Sequence, residues 1–455
     1  MEVLLINPPR EIPQKVDFPP IGLAYISAVL KKEGIETQVL DASPFSWERL
    51  AGVIRQKTPR IVGISCWSME RCQAFKTAKL VRKILPNAKI ILGGHHATAF
   101  PRHIFIRTPA DAVVIGEGEL TALDLVRTML TNGNVGEVRG IAYSEAGKVL
   151  TTEPRDFITD LDQIPYPSYS DFNLDDYLGM PDAEGRAASI ITSRGCPHGC
   201  IFCSASQFWK RKWRARSPDN VLGEIEWLYH NQGVRNLTFF DDNFTVNKER
   251  AVAICRGIIN RSLNINYAAS SHVTHIDKEL LGWMKNSGCF RIDFGIESGS
   301  PKVLRNIEKR QTVGQIEETF RLVHDVGIKP RAYLLVGNPG ETVETIEETV
   351  SLMKKIRAYD SRTATITMVF PNTKLFELAK ANGLLSDDFW LQSDETPLYT
   401  CEHTLGELKA LRDRLMKGLA ENEGTFKATM EYWARKVYYK YPFLQKMRQF
   451  RKVFK

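Results

Sequence analysis

The chain has 455 residues, 43% of them hydrophobic, which is enough for two or three domains with their own cores. Its formal net charge is +8, but eight basic residues and one acidic residue lie between positions 431 and 455. The rest of the chain is close to neutral, so the charge does not predict a nucleic-acid groove across the whole molecule. No run of about 18 apolar residues occurs, so no transmembrane helix is predicted.

The first residues and the cysteine usage both favour a cytoplasmic protein. The N-terminus lacks the basic region and the long apolar stretch of a signal peptide. Five of the eight cysteines are scattered, which predicts buried free thiols rather than a disulfide framework: Cys66, Cys72, Cys255, Cys289 and Cys401.

Residues 1–150 alternate short apolar strands with helical stretches. A helix is predicted from Ile21 to a stop at Gly34. Strands are predicted at 3–6, 37–40, 61–65, 88–94 and 112–116. Continuous apolar strands between helices indicate a parallel sheet buried on both faces, and hence a doubly wound, Rossmann-like α/β domain. Its ligand is expected across the carboxyl ends of the strands. Residues 151–185 are predicted to be a semi-rigid linker, because the stretch 160–167 has two prolines and no helical period.

A second α/β alternation occupies residues 186–375. Six strands are predicted, at 188–192, 236–240, 266–270, 291–296, 331–336 and 364–369. A closed barrel of eight units needs about 250 residues, so this span predicts an open, partial (βα)6 barrel of the TIM type. Residues 376–455 are predicted to be mainly helical.

Three cysteines stand close together immediately after the first of these six strands. Cys196, Cys200 and Cys203 have the spacing C-x3-C-x2-C, and Phe202 precedes the third. Three thiolates hold a 4Fe–4S cluster while leaving one iron without a protein ligand. An open metal position is what makes a site reactive. The alternative is a zinc loop with His198 as its fourth ligand.

This spacing resembles the signature of the radical S-adenosylmethionine (radical SAM) enzymes. The resemblance implies that the open iron binds the methionine part of SAM, and that one electron from the cluster releases a 5′-deoxyadenosyl radical. A flavodoxin or ferredoxin would supply the electron. Unusual polar groups also follow the later strands, where a barrel carries its chemistry.

The resemblance gives these later residues roles at the SAM site. Phe202 would contact the cofactor. Asp241, Asp242 and Asn243 occupy the place where the family holds the SAM amino group, for which carboxylates are suitable acceptors. Glu297 and Ser298 resemble the segment at the ribose or methionine tail, and Gly337 the segment beside the adenosine. Arg331 would reach the SAM carboxylate. Plain turns and a helix N-terminus at Ser300-Pro301 are the alternatives.

The N-terminal domain resembles the cobalamin-binding domains that precede some radical SAM cores. The resemblance rests on three segments at strand ends, whose cofactor-binding candidates are Ser65, Gly93, Gly94, His95, Gly116, Glu117, Gly118 and Glu119. Paired glycines let the backbone approach a bulky ligand, and a serine hydroxyl can bond the benzimidazole tail. Ordinary turns between strand and helix are the alternative.

The predicted cobalamin is expected to bind with its benzimidazole displaced and with no histidine on the cobalt. Many cobalamin proteins have Asp-x-His-x-x-Gly after the first strand, but here no histidine occurs before His95. His95 and His96 are the only nearby residues that could contradict this expectation. Both are predicted instead to contact the corrin ring or a phosphate of the cofactor, or to be plain turn residues.

The two halves together resemble cobalamin-dependent radical SAM enzymes, the class that includes anaerobic magnesium-protoporphyrin monomethyl ester cyclase and many methylases. The resemblance implies a C-methyltransferase, in which the adenosyl radical abstracts hydrogen from an unactivated carbon and methylcobalamin supplies the methyl group. Radical ring formation or oxidation without methyl transfer is the alternative enzyme. A cobalamin carrier or sensor with a structural cluster is the non-enzymatic alternative.

The end of the chain mixes aromatic and basic residues, from Tyr432 to Leu444 and again from Phe450 to Lys455. Such a pattern suits peripheral contact with an anionic membrane, or RNA, or a solvated helix that caps the barrel. A small-molecule or lipid substrate is expected, and no nucleic acid. The substrate itself cannot be identified from any motif.

Overall fold

The computed structural model describes residues 1–180, 183–359 and 364–422. The elements of the first part, in chain order, are β1 (Val3–Asn7), α1 (Ile21–Lys32), β2 (Thr37–Asp41), α2 (Trp47–Lys57), β3 (Ile61–Ser65), α3 (Arg71–Ile84), β4 (Lys89–Gly93), α4 (His95–Ala99), α5 (Pro101–Arg107), β5 (Ala112–Val114), α6 (Gly118–Leu130), β6 (Ile141–Glu145) and β7 (Lys148–Thr151). Within the described ranges, no helix has both the length and the apolar composition needed to cross a membrane.

The later elements are β8 (Ala187–Ile190), β9 (Ser193–Arg194), α7 (Ser204–Phe208), β10 (Arg214–Ala215), α8 (Pro218–Asn231), β11 (Asn236–Phe239), α9 (Lys248–Asn260), β12 (Asn266–Ser271), α10 (Lys278–Asn286), β13 (Cys289–Glu297), α11 (Pro301–Asn306), α12 (Val313–Asp325), β14 (Lys329–Val336), α13 (Val343–Ile356), β15 (Ala364–Ile366), α14 (Lys374–Ala381), α15 (Phe389–Gln392) and α16 (Leu405–Asn422). Short 3-10 turns at 161–163, 169–171 and 174–176 occupy the predicted linker.

The N-terminal sheet has the strand order β2-β1-β3-β4-β5-β6-β7. Its first five strands are parallel, as the apolar runs predict. Alternate residues of β1 enter two hydrophobic cores, with Leu5 packed on the side of α1 and α6 and Leu4 on the side of α2 and α3. Helices therefore cover both faces, and the doubly wound α/β domain is confirmed.

A hairpin of two antiparallel strands, β6 and β7, extends this sheet and is absent from the predictions. Its turn places Ala146 at φ 48° and Gly147 at φ 76°. Two positive φ angles are typical of the type I′ turn that best fits the twist of a hairpin. Asparagine or glycine usually occupies the first of these positions, so alanine gives no turn signal in the sequence.

The chain divides into two compact units that interleave along the sequence. The first comprises Met1–Ser270, Gly282–Phe290 and Val369–Pro397, and the second comprises Ser271–Leu281, Arg291–Met368 and Leu398–Lys455. In the first unit, β11 pairs in parallel with β8 on one side and β12 on the other. In the second, β14 pairs in parallel with β13 and β15. All six predicted strands of the second half are present.

The region after residue 376 is helical in α14, α15 and α16, with an irregular segment between the last two. The basic and aromatic tail at 431–455 lies outside the described residues.

The direction of chain progression in the N-terminal sheet reverses at β1. β2 lies on one side of β1 and β3 on the other, so the loops after β1 and β3 diverge and leave a crevice between them. The two loops are in contact where Arg10 Nε lies 3.8 Å from Glu70 Oε1. Ligands of such sheets bind at this edge, which is where the predicted cobalamin site falls.

Candidate active site

The three clustered cysteines lie in a loop whose base is closed by a two-residue antiparallel ribbon. Arg194 of β9 pairs with Arg214 of β10. Gly195 begins the loop at φ +86°, and a Cβ added there would lie 2.2 Å from the carbonyl oxygen of Lys212. Only glycine fits this position. Cys203 N donates to Cys200 O at 3.2 Å, so the loop turns back on itself between the second and third cysteines.

The thiols of this loop lie close enough to affect one another electrostatically. Burial raises the pKa of Cys196 to about 11, with Asp242 and the other two thiols adding to the rise. Burial also raises the pKa of Cys203, for which Cys200 and Asp242 are further causes. Bound iron offsets such repulsion by its positive charge and holds cysteines as thiolates. Cys196, Cys200 and Cys203 are therefore the candidate ligands of the cluster, and the described residues contain no group of three or more His, Cys, Asp or Glu side chains already arranged to hold a metal.

The two aspartates after β11 have different surroundings. Asp241 is buried and accepts from Thr192 N at 2.7 Å, from Thr192 Oγ1 at 2.5 Å and from Ser193 Oγ at 2.7 Å. It fixes the strand that leads into the cysteine loop. Asp242 has an exposed side chain that accepts a hydrogen bond from the backbone of Gly195. Surrounding protein and the charge of Asp241 raise the pKa of Asp242 to about 6. An accessible carboxylate beside the loop is suited to accept from an ammonium group.

The other predicted residue of this group, Asn243, is buried and accepts from Thr245 Oγ1 at 3.3 Å. Phe202 is half-buried within the loop.

The strand ends of the N-terminal domain carry glycines and an exposed aromatic ring. Ser65 ends β3 opposite Gly93 of β4. Gly94, at φ +111°, lies so close to the next turn that an added Cβ would be 2.9 Å from Cys66 O. Gly116 has open space where a Cβ would stand, at φ +80°. Trp67 follows β3 with 56% of its surface exposed, so an apolar face is available at the crevice. This edge fits the predicted corrinoid.

The two histidines after β4 face different environments. His95 stacks on Phe208 of α7, with ring centroids 4.2 Å apart, and the ring of Trp67 makes a tilted contact with it at 5.3 Å. Burial lowers the pKa of His95 to about 4, so the ring is neutral at pH 7. His96 is fully buried, with Nδ1 3.3 Å from Ser68 Oγ. Burial and the nearby Arg71 lower its pKa to about 3.

The two carboxylates predicted near cobalamin form ion pairs with arginines. Glu117 Oε1 accepts from Arg194 Nη1 at 2.8 Å and from Arg214 Nη1 at 2.9 Å. Glu119 Oε1 accepts from Arg194 Nη2 at 2.5 Å. Gly118 packs against Ile26, which lies 3.0 Å from where its Cβ would be. The side chains of Glu117 and Glu119 join the N-terminal domain to the base of the cysteine loop. Contacts to a cofactor would have to come from other atoms of this segment.

In the second unit, the residues predicted near SAM are also largely held by protein groups. Glu297 adopts φ 65° at a bulge in β13, and Lys309 Nζ donates to its Oε1 at 3.0 Å. Ser298 Oγ accepts from Ser300 N at 3.1 Å. Arg331 donates to Asp293 and to the hydroxyl of Tyr333.

Glu341 belongs to the same loop as Gly337, and its chemistry is not evident from the sequence. Gly337 N and Asn338 N both donate to Glu341 Oε2, while Oε1 is buried without a hydrogen-bond partner. Burial raises the pKa of Glu341 to about 7. The glycine, at φ +87°, permits the turn that brings both backbone donors to one oxygen.

The sequence models of two protein families match separate parts of the chain. Residues 190–353 match the radical SAM superfamily, and residues 14–126 match the B12 binding domain. The class of protein is therefore a radical SAM enzyme with a cobalamin-binding domain ahead of its core.

Known proteins extend these matches over most of the chain. An uncharacterised methyltransferase of Pyrococcus horikoshii is 35% identical over 398 residues, covering 86% of this chain and 85% of the relative. An anaerobic magnesium-protoporphyrin IX monomethyl ester cyclase of Cereibacter sphaeroides is 33% identical over 344 residues, covering 73% of this chain and 56% of the relative.

A solved structure shows the same fold. The radical SAM methyltransferase TsrM from Kitasatospora setae, with cobalamin and a 4Fe–4S cluster bound, superposes with a TM-score of 0.69 at 20% identity, covering 84% of this chain and 76% of that one. The chain belongs to the cobalamin-binding radical SAM family. Its cofactors are a 4Fe–4S cluster, SAM and cobalamin, and its fold combines the doubly wound domain with a partial barrel. The predicted cofactors are confirmed, and the individual residue contacts stay predictions.

Replacing Asp242 by asparagine should weaken SAM binding about tenfold, because one charge-assisted hydrogen bond becomes a neutral one. Titration calorimetry of the reconstituted protein measures this. Asp241→Ala is the comparison: it leaves the donors of Thr192 and Ser193 without their acceptor and should cost roughly 3 kcal/mol of stability. Unchanged SAM affinity in Asp242→Asn would contradict the assignment.

Glu341 should make the protein less stable as the pH rises from 4.5, the ordinary pKa of a glutamate, to about 7, its pKa in the folded protein. In that window the folded protein holds a proton that the unfolded chain has lost, so stability falls by up to about 1.4 kcal/mol per pH unit. Glu341→Gln keeps an oxygen for the two backbone donors and removes the titration. Urea unfolding of both full-length proteins across this window measures the difference, and a difference independent of pH would refute the shift.

Proposed function

We propose that this chain is a C-methyltransferase that acts on an unactivated carbon of a small-molecule or lipid substrate. When bound, the cluster and cobalamin supply an electron for reductive cleavage of SAM and a methyl group for transfer. Abstraction of hydrogen by the 5′-deoxyadenosyl radical would leave a substrate carbon radical to receive that methyl group. The Pyrococcus relative is named a methyltransferase, and this supports the proposal.

The observation that carries the proposal is the direct contact between the two cofactor regions within one compact unit. His95, after β4 of the cobalamin-binding domain, stacks on Phe208, five residues after the last cluster cysteine. Glu117 of the same domain binds the two arginines at the base of the loop. A methyl donor and a radical source must act on one substrate atom, and contacts between the two regions that would hold these cofactors support the proposal.

The side chains have separate tasks in this proposal. Cys196, Cys200 and Cys203 hold the cluster, and Asp242 accepts from the SAM amino group. Trp67 presents an aromatic face at the corrinoid crevice, and the His95 ring packs against it, uncharged, so that it adds no cation beside the cofactor. Asp241 acts through the backbone it holds.

Ring formation without methyl transfer is the second candidate, and the 33% identity to the Cereibacter cyclase favours it. The two candidates differ in their products from SAM. Methyl transfer yields S-adenosylhomocysteine from one SAM and 5′-deoxyadenosine from another. Ring formation by hydrogen abstraction yields 5′-deoxyadenosine without S-adenosylhomocysteine.

The reconstituted enzyme, given SAM with a deuterated methyl group, a reductant and candidate substrates, should form a labelled product. Mass spectrometry should find S-adenosylhomocysteine and 5′-deoxyadenosine in equal amounts. Cys200→Ala should abolish 5′-deoxyadenosine formation, because the cluster loses a ligand. Cys255→Ala, which changes a buried thiol outside the loop, is the matched control and should retain it. Unlabelled product together with 5′-deoxyadenosine would reject methyl transfer.

We further infer that no histidine binds the cobalt. His96 is surrounded by the rings of Phe75, Phe100 and Trp390. His95 is stacked on Phe208 and has a tilted contact with Trp67. Either imidazole would have to leave its packing to reach a metal. The displaced benzimidazole would then leave cobalt without an axial nitrogen.

The EPR spectrum of bound cob(II)alamin tests this inference. We expect no nitrogen superhyperfine splitting in the unaltered protein, and the same spectrum in His95→Ala. Splitting that disappears in His95→Ala would establish His95 as a ligand and overturn the inference.

The remaining proposals concern partners and location. We propose a flavodoxin or ferredoxin as electron donor and a cytoplasmic location with peripheral membrane contact through the tail at 431–455. The basic and aromatic composition of that tail supports the membrane contact.

A further inference from the structure

Four charged side chains form a buried cluster at the base of the cysteine loop. We call it the arginine clamp, and its members are Arg194, Arg214, Glu117 and Glu119. Their side chains are 4–10% exposed. Arg194 bridges the two glutamates, and Arg214 Nη1 lies 2.9 Å from both oxygens of Glu117. The cluster has two positive and two negative charges and is therefore neutral as a whole.

The clamp neutralises two like charges that the ribbon closing the loop brings together. Arg194 and Arg214 are directly opposite each other in the β9–β10 pair, where like charges destabilise a sheet. Burying both cations without partners would be costlier still. The two carboxylates remove the repulsion, so the ribbon depends on residues from a distant part of the chain.

The carboxylates come from the edge of the cobalamin-binding domain. Glu117 immediately follows Gly116, the open glycine after β5, and Glu119 lies in the first turn of α6. Ile158 N also donates to Glu117 Oε2 at 2.8 Å, which fixes the carboxylate from another side. On the loop side, Arg194 is followed directly by Gly195 and Cys196. The clamp thus lies between the corrinoid edge and the first cluster ligand.

We propose that the arginine clamp sets the spacing between the cobalamin and the cluster, and that its four members are positioning residues. This inference rests on the proposed function, in which both cofactors serve one substrate atom. A misplacement of about 1 Å between reacting groups can cost roughly a hundredfold in rate. A short loop held only by its own turns would not fix that distance against another domain, whereas a bidentate, buried ion-pair cluster does.

Two substitutions test the clamp without emptying it. Glu119→Gln removes one charge and keeps a hydrogen-bond acceptor for Arg194. Arg194→Lys keeps the charge but lacks the planar fork that reaches both glutamates at once. The matched control is Glu224→Gln: Glu224 pairs with Arg216 in an equally buried ion pair beside the loop, with no bond to the β5–α6 segment.

The readout is the magnetic dipolar coupling between cob(II)alamin and the reduced cluster in the full-length holoenzyme, measured by pulsed EPR. This coupling falls with the cube of the distance. The unaltered protein and Glu224→Gln should give one narrow distribution of distances. Glu119→Gln and Arg194→Lys should give a shifted or broadened one, at unchanged iron and cobalamin content. Methyl transfer from SAM to cobalamin, followed as S-adenosylhomocysteine, should fall about tenfold in both variants.

Each other outcome has a definite meaning. Both variants keeping the unaltered dipolar coupling would overturn the clamp as a spacer. Loss of iron from both variants, with cobalamin retained, would show that the arginine clamp serves only to fold the cysteine loop. That result would also overturn its role as a spacer. If the unaltered protein failed to bind cobalamin or the cluster, the proposed function would fall instead.

Discussion

Three thiols in one short loop must lose their protons to hold iron, and the cost of bringing those negative charges together is the constraint on which the rest of the site depends. Burial and neighbouring acidic groups raise the pKa of Cys196 to about 11, so the loop favours protonated thiols until iron is bound. The protein therefore fixes the loop from outside. Asp241 fixes the strand before it, Gly195 allows the tight entry, and the arginine clamp secures its base. Rigidity supplied by these contacts replaces the cohesion that the cysteines themselves lack.

The architecture follows from the sequence because the central strands of its sheets, such as β1, β3 and β8, are buried on both faces. Such strands appear as continuous apolar runs, and all five of the N-terminal domain and all six of the second half lie where those runs predict them. The hairpin of β6 and β7 is missed because Ala146 takes a positive φ for which the sequence has no signal. The ribbon of β9 and β10 is missed because strands of two residues carry no periodicity.

The candidate site is only partly predictable, because its charges pair over long distances in the chain. The three cysteines are local in sequence, and so is the acidic pair after β11. Arg194, the partner of Glu117, is 77 residues away in the chain. The position of Glu117 after a strand therefore predicts a contact with the cofactor, while its ion pair with Arg194 leaves no signal in the sequence. The same holds for Arg331 and Asp293, which are 38 residues apart. A pattern of strand ends identifies where polar groups gather, but pairing decides which of them remain accessible.

That distinction separates two kinds of polar group at the strand ends. Asp241 and Glu117 are buried and bound to other protein groups, so they shape the site and are already satisfied. Asp242 is accessible, and the aromatic faces of Trp67 and Phe240 are about half exposed at the ends of β3 and β11. Exposed rings at strand ends of this kind favour flat or apolar ligands over highly charged ones. An accessible carboxylate beside the cysteine loop and half-exposed aromatic faces at two strand ends therefore provide one charged anchor and several apolar contacts.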